Sequence, residues 1–186
     1  YDPIQNVMIG GPQPTLVVSA GGGITSPNAD GTWVVTSGAI TTTCAAVPTL
    51  NTMQFDPYTM RFTTNLSGSI FITTAGPGLG AFTFQRADGK WIILRGANAA
   101  TCSVGGTQAD LYDPITKRIT ILTTLPLAVG PGAQAIPKPD GRWLILNGRT
   151  ASIPQSLNQI YQESSGAMLV TVVGPSAPNG IWFAAP

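Results

Sequence analysis

Tyr112-Asp113-Pro114-Ile115-Thr116-Lys117-Arg118-Ile119-Thr120-Ile121-Leu122 and, after a Pro/Gly-rich link, Asp140-Gly141-Arg142-Trp143-Leu144-Ile145-Leu146 together decide how this chain folds. Asp before Pro opens a turn, because the ring fixes φ and the carboxylate accepts from backbone amides just ahead of it. The apolar-Thr run behind it suits a pleated strand. Asp-Gly supplies a positive-φ position for a hairpin, and the aromatic and β-branched run that follows suits a second, more deeply buried strand. Residues 108–148 therefore read as a strand ending at Tyr112, a turn over 114–117, a strand at 118–123, a link, a strand near 132–136, a turn at 139–141 and a strand at 142–146.

Both signals recur along the chain. Asp30-Gly31-Thr32-Trp33, Asp88-Gly89-Lys90-Trp91, Asp140-Gly141-Arg142-Trp143 and Asn179-Gly180-Ile181-Trp182 place all four tryptophans in one local context. Tyr1-Asp2-Pro3, Phe55-Asp56-Pro57 and Tyr112-Asp113-Pro114 interleave with them, and Tyr161-Gln162-Glu163 is a degenerate fourth copy. The repeat predicts an all-β chain of four units, at about 1–51, 52–107, 108–157 and 158–186, each with two hairpins and the last one short. Trp33, Trp91, Trp143, Trp182, Asp56, Asp113, Gly31, Gly89 and Gly141 are the residues expected to carry this repeat.

Composition narrows the chemistry. Only 9% of the 186 residues are charged, against roughly 25% in an average soluble domain. There is no histidine, which removes Ser-His-Asp and Cys-His catalysis and imidazole metal sites. Nine basic and eight acidic residues, without a basic cluster, argue against nucleic acid. Apolar runs such as Trp91-Ile92-Ile93-Leu94 fall far short of the roughly 20 residues a membrane span needs. The start at Tyr1, without a charged and apolar leader, is that expected of a processed product or an excised piece.

In order and type these motifs resemble the kelch repeat, a four-stranded β-propeller blade. Residues 91–148 follow it well: Trp91-Ile92-Ile93-Leu94-Arg95-Gly96, Tyr112-Asp113-Pro114, Leu125-Pro126-Leu127, Asp140-Gly141 and Trp143-Leu144-Ile145-Leu146-Asn147-Gly148. Two departures mark a divergent relative: a single glycine stands where kelch repeats carry two, and the tryptophan follows Asp-Gly rather than the Tyr-Asp-Pro turn. The resemblance implies a propeller of about four units, or a segment of a larger one. It does not carry over the copper site of galactose-oxidase-type enzymes, which needs histidines and a Tyr-Cys crosslink.

Cys44 and Cys102 each lie six residues after the glycine that ends a Trp strand, at the same position in consecutive blades. Equivalent loops of adjacent blades lie side by side, so a Cys44–Cys102 disulfide is expected, contributing about 4 kcal/mol by loop closure and placing the chain outside a reducing cytosol. Asn65-Leu66-Ser67 makes Asn65 a candidate glycosylation site. Asp2, Asp30, Asp56, Asp88, Asp113 and Asp140 sit in the recurring turns, which explains them without a catalytic pair or bound calcium. Gly76-Pro77-Gly78-Leu79-Gly80 and Gly130-Pro131-Gly132 resemble phosphate loops, but no helix follows, and they read as tight turns entering a strand.

The expectation for function is a non-enzymatic, extracellular structural or assembly protein: a subunit of a surface layer, sheath or filament. It would self-associate or join another surface protein, with a strand from the next copy completing the short terminal blade. The alternative is a secreted or surface propeller that binds a glycan or a protein ligand through exposed aromatics. No cofactor, metal, nucleic acid or membrane span is expected.

Overall fold

The computed structural model describes residues 23–36, 52–64, 78, 80–97, 105–150, 153–154 and 157–171. These form strands without a helix, in three antiparallel four-stranded sheets and a two-stranded ribbon. The first sheet is β1 (Ile24–Pro27), β2 (Trp33–Thr36), β3 (Thr52–Asp56) and β4 (Arg61–Thr64), and the second is β5 (Phe82–Gln85), β6 (Trp91–Leu94), β7 (Gly106–Asp113) and β8 (Arg118–Val129). The third joins β9 (Gln134–Pro137) and β10 (Arg142–Leu146) to β13 (Asn158–Gln162) and β14 (Ala167–Thr171), with the ribbon β11 (Arg149–Thr150) and β12 (Ile153–Pro154) between. Strands in each sheet lie in chain order. Every sheet pairs the Asp-Gly hairpin of one sequence unit with the Asp-Pro hairpin of the next, so the sheets are offset by one hairpin from the unit limits.

Both turns work as their residues dictate. Asn28 N–H donates to the Thr32 carbonyl at 2.7 Å and Gly31 N–H to the Asn28 carbonyl at 3.2 Å, a three-residue loop with Gly31 at φ 82°. The same bonds recur at Arg86–Lys90 and Lys138–Arg142, with Gly89 at 81° and Gly141 at 75°. In the Asp-Pro turns, Asp56 accepts from Tyr58 N–H at 2.8 Å and Asp113 from Ile115 N–H at 2.9 Å. These turns close through a positive-φ residue, Met60 (53°), Lys117 (55°) or Gly166 (67°).

Side-chain alternation stacks the sheets. Successive strand residues point to opposite faces, and in β6 both faces are covered. Ile93, with Trp91, Tyr112 and Ile119, packs on Ile24 and Val34 of the first sheet. Ile92 and Leu94, with Phe84, Ala109, Leu125 and Val129, pack on Trp143, Ile145 and Tyr161 of the third. The Phe84 ring lies 4.7 Å from Trp143 and 5.8 Å from Tyr161, contacts worth about 0.5–1.5 kcal/mol each beyond their area. A strand covered on both faces must be apolar at every position, which is why Trp91-Ile92-Ile93-Leu94 has no polar residue.

One expectation changes. β8 runs to Val129, through the segment read as a link, because two register shifts let pairing resume at Gly106↔Val129 and because Leu125 and Val129 are buried against the third sheet. The sheets stack side by side, and no closed ring is present among the described residues. Cys44, Cys102, Asn65, Trp182 and both chain termini, with the expected disulfide and strand completion, lie outside the described residues.

The Gly-Pro-Gly segments are turns, as their residues suggest. Ala81 N–H donates to Gly78 and Ala133 N–H to Gly130, both at 3.0 Å, with Gly80 at φ 80° and Gly132 at 81°. A Cβ on Gly80 would stand 2.2 Å from the Gly130 carbonyl carbon, whereas one on Gly132 meets open space. Gly132→Ala should therefore cost only the left-handed backbone penalty of about 1–2 kcal/mol. Gly80→Ala should cost clearly more in urea denaturation, and equal losses would contradict the close approach.

Candidate functional site

Neighbouring sheets are joined at one end by their turns. In the first junction the Tyr112 hydroxyl donates to the Asn28 side chain, Ala29 N–H donates to the Pro114 carbonyl at 3.2 Å, and Lys117 Nζ meets Asp30 at 2.7 Å. Lys117, then the Thr32 hydroxyl at 2.6 Å, hold the Asp30 carboxyl down at about 2. Burial, with the Asp30 and Asp113 charges, pushes Tyr112 well above the usual phenol range. In the second junction Ala87 N–H donates to Glu163 at 3.1 Å, and Glu163 also accepts from the Trp143 indole at 2.7 Å. Tyr161 takes the place of Tyr112 and lies within electrostatic reach of Arg86; burial pushes it up and the Arg86 charge opposes this.

Each of the later two sheets also buries a polar pair between its second and third strands. In the second sheet it is the ion pair Arg95–Asp110, with both side chains almost fully buried. Burial pushes Asp110 up, against the pull of Arg95, and its second oxygen has no hydrogen-bond partner among the described residues. In the third sheet the same positions hold Asn147 and Gln159, joined at 2.6 Å. Gln159 also clamps the β8 backbone, donating to the Leu127 carbonyl at 2.9 Å and accepting from its N–H at 3.2 Å.

Beside the third sheet's turns an open cleft is lined by Asp140, Gly141, Arg142, Gln162, Glu163 and Ser164. Its acids are engaged: Arg142, bonded through Nε at 2.8 Å, holds Asp140 down at about 2, and Glu163 ties two sheets together. Among the described residues no three of His, Cys, Asp and Glu come together as metal ligands.

The remaining surface feature is a pair of open faces. Phase along the strands makes Trp91 and Trp143 face the preceding sheet and turns Trp33 to the corresponding side of its own. Trp91 and Trp143 are therefore half-buried, while Trp33, with no described sheet before it, is 39% exposed in the row Pro27–Trp33–Phe55–Phe62. Deeper on that face Met53 is buried. At the other end, the row Ile136–Leu144–Ile160–Leu169 crosses all four strands of the third sheet on the side away from the second. Ile136 is 44% exposed, against 5% for Phe84 at the same place in the second sheet.

Among the residues singled out from sequence, Gly31, Gly89 and Gly141 lie in turns, Asp56 and Asp113 end the strands that enter the Asp-Pro turns, and Trp33, Trp91 and Trp143 stand in the first or second place of second strands. The Arg95–Asp110 and Asn147–Gln159 pairs were missed. Their signal is positional: Arg95 and Asn147 each precede the glycine that ends a Trp strand, and Asp110 and Gln159 stand two before the repeat tyrosine.

No family model matches the chain, and no curated protein matches it. Solved structures similar to it include a fungal alcohol oxidase of the AA5 family in complex with copper, at 14% identity and TM-score 0.47, covering 87% of this chain and 45% of that one. Another is YjhT, at 14% identity and TM-score 0.48, covering 83% of this chain and 49% of that one. The chain thus spans about half the length of these structures. One of these structures is an oxidase, and the expectation of a protein without enzymatic activity is not kept. Lack of histidine removes imidazole chemistry and leaves other catalysis open; a copper ligand set of imidazoles has no counterpart in this sequence.

Two outcomes follow from the buried pair and the turn junction. Arg95→Asn leaves a buried carboxylate without its counter-ion and should cost about 3–5 kcal/mol at neutral pH. Combining it with Asp110→Gln, which copies the third sheet, should recover most of that loss in urea denaturation; an additive double variant would contradict the pairing. Asp30 is depressed in the fold, so its contribution is present above about pH 4 and lost as pH falls towards 2. Asp30→Asn should therefore lower stability by up to about 1 kcal/mol at pH 7 and match the parent chain at pH 2. A difference that persists at pH 2 would contradict the link to Lys117.

Proposed function

We propose that the three sheets are consecutive blades of a kelch-like propeller, a ring of about four units or a segment of a larger one. The chain then serves as an extracellular structural or assembly protein in a surface layer, sheath or filament. The observation that carries this reading is the pair of open apolar faces at the two ends of the stack, marked by Trp33 at 39% and Ile136 at 44% exposure. A repeat stack whose end sheets keep the apolar faces of interior ones invites a further unit. Low charge and two cysteines at matching positions of consecutive repeats support a place outside the cytosol.

A second reading, a surface module that binds glycan, is favoured by one observation. Tyr58, 84% exposed, stands in the Asp-Pro turn of the sheet that carries Trp33, Phe55 and Phe62, and exposed aromatic rings are stacking surfaces for sugar rings.

Electron microscopy of the native material separates the two. The assembly reading predicts filaments or sheets with a regular subunit spacing. Monomers at every concentration would overturn it; glycan-array binding lost in Tyr58→Ala would then support the second reading.

A further inference from the structure

The two open faces differ from each other, and each resembles one side of an interface already formed inside the chain. In the second interface the row Phe84–Ile92–Leu111 of the second sheet, which ends at Thr120, packs on Trp143, Tyr161 and Met168 of the third, whose row begins at Pro137. The open row of the third sheet, Ile136–Leu144–Ile160–Leu169, is of the first type, large and apolar across its strands. The open row of the first sheet, Pro27–Trp33–Phe55–Phe62, is of the second type: proline, tryptophan, an aromatic and a large apolar residue in the same strand order.

The turns match as well, by what they lack. Pro139 stands in the third sheet where Ala29 and Ala87 each donate an N–H to the following sheet, so this donor is missing. Asp140, which corresponds to Asp30, is already held by Arg142 and lies 3.8 Å from Lys138, so it needs no cation from across a junction. On the first sheet, Phe55 stands where Tyr112 and Tyr161 carry a hydroxyl. Met60 stands where Lys117 carries its ammonium, at the same positive φ. Removing one partner of a buried polar contact leaves the other unsatisfied, whereas removing both is nearly neutral. Here the changes fall on both sides, and they turn a polar turn junction into an apolar one.

We propose that the first sheet of one copy seats on the third sheet of another, head to tail, with the Trp33 row against the Ile136 row. The inference rests on the assembly reading and names its contact. Because the two surfaces differ, the contact is heterologous and builds either a closed ring or an open filament.

The test uses the full chain and two variants, Trp33→Glu and Ile136→Glu, with light scattering behind size exclusion. Both side chains are exposed, so circular dichroism should match the parent; Trp33→Gln and Ile136→Gln replace either variant that fails to fold. The expected result is a parent chain that assembles, two variants that are each monomeric, and an equimolar mixture that forms one-to-one dimers, since each variant keeps one good face. Assembly that survives in both single variants would overturn this contact and leave the assembly reading standing. A parent chain that stays monomeric, with Ile136 covered by residues 172–186 of its own chain, would overturn both.

Discussion

The structure depends on a middle sheet that has no free face. Because strand residues alternate, β6 can present Ile93 to the first sheet and Ile92 and Leu94 to the third only if every position is apolar. Burying such side chains is worth about 1.5–3 kcal/mol each, so these few residues outweigh any of the surface ion pairs. The turns act differently. The Asp30–Lys117 contact and the Ala29 and Ala87 donors add little energy, but they set how far one sheet slides on the next.

Charge is distributed accordingly. The Asp-Gly and Asp-Pro turns hold most of the acids, and the basic residues Lys90, Lys117, Lys138 and Arg142 stand beside them. The Arg95–Asp110 pair is the exception. It sits deep at the far end of β6 and is matched in the third sheet by the neutral Asn147–Gln159 pair, which ties β13 to β8 through Leu127. A buried ion pair is weak evidence for stability, since apolar or neutral partners of similar size often serve as well. The Asn147–Gln159 pair is such a neutral solution at the same position of the same chain.

Much of the architecture was legible in the chain because its signals are local. Asp-Gly and Asp-Pro set turn geometry within four residues, and the runs after Trp33, Trp91 and Trp143 could be little other than strands. What was not legible depends on neighbours. β8 extends through Pro126 because Leu125 and Val129 meet the third sheet, a contact no local pattern announces. Trp33 and Trp143 share one sequence context yet differ in burial, since only position in the stack decides which tryptophan is covered. Nothing local marks Arg95 and Asp110 as partners, since they stand 15 residues apart and the fold places them side by side. The expectation of a non-enzyme rested on the missing histidine and on turn roles for the acids, and these do not speak for all catalysis.

Amide hydrogen exchange followed by mass spectrometry tests the central claim most directly, since protection depends on cover from both sides. The account predicts the slowest exchange in Trp91–Leu94 and Ala109–Tyr112, with faster exchange in β2 of the first sheet and β9 and β14 of the third. Equal protection across the three sheets, or a maximum in the first, would contradict a stack built around the second.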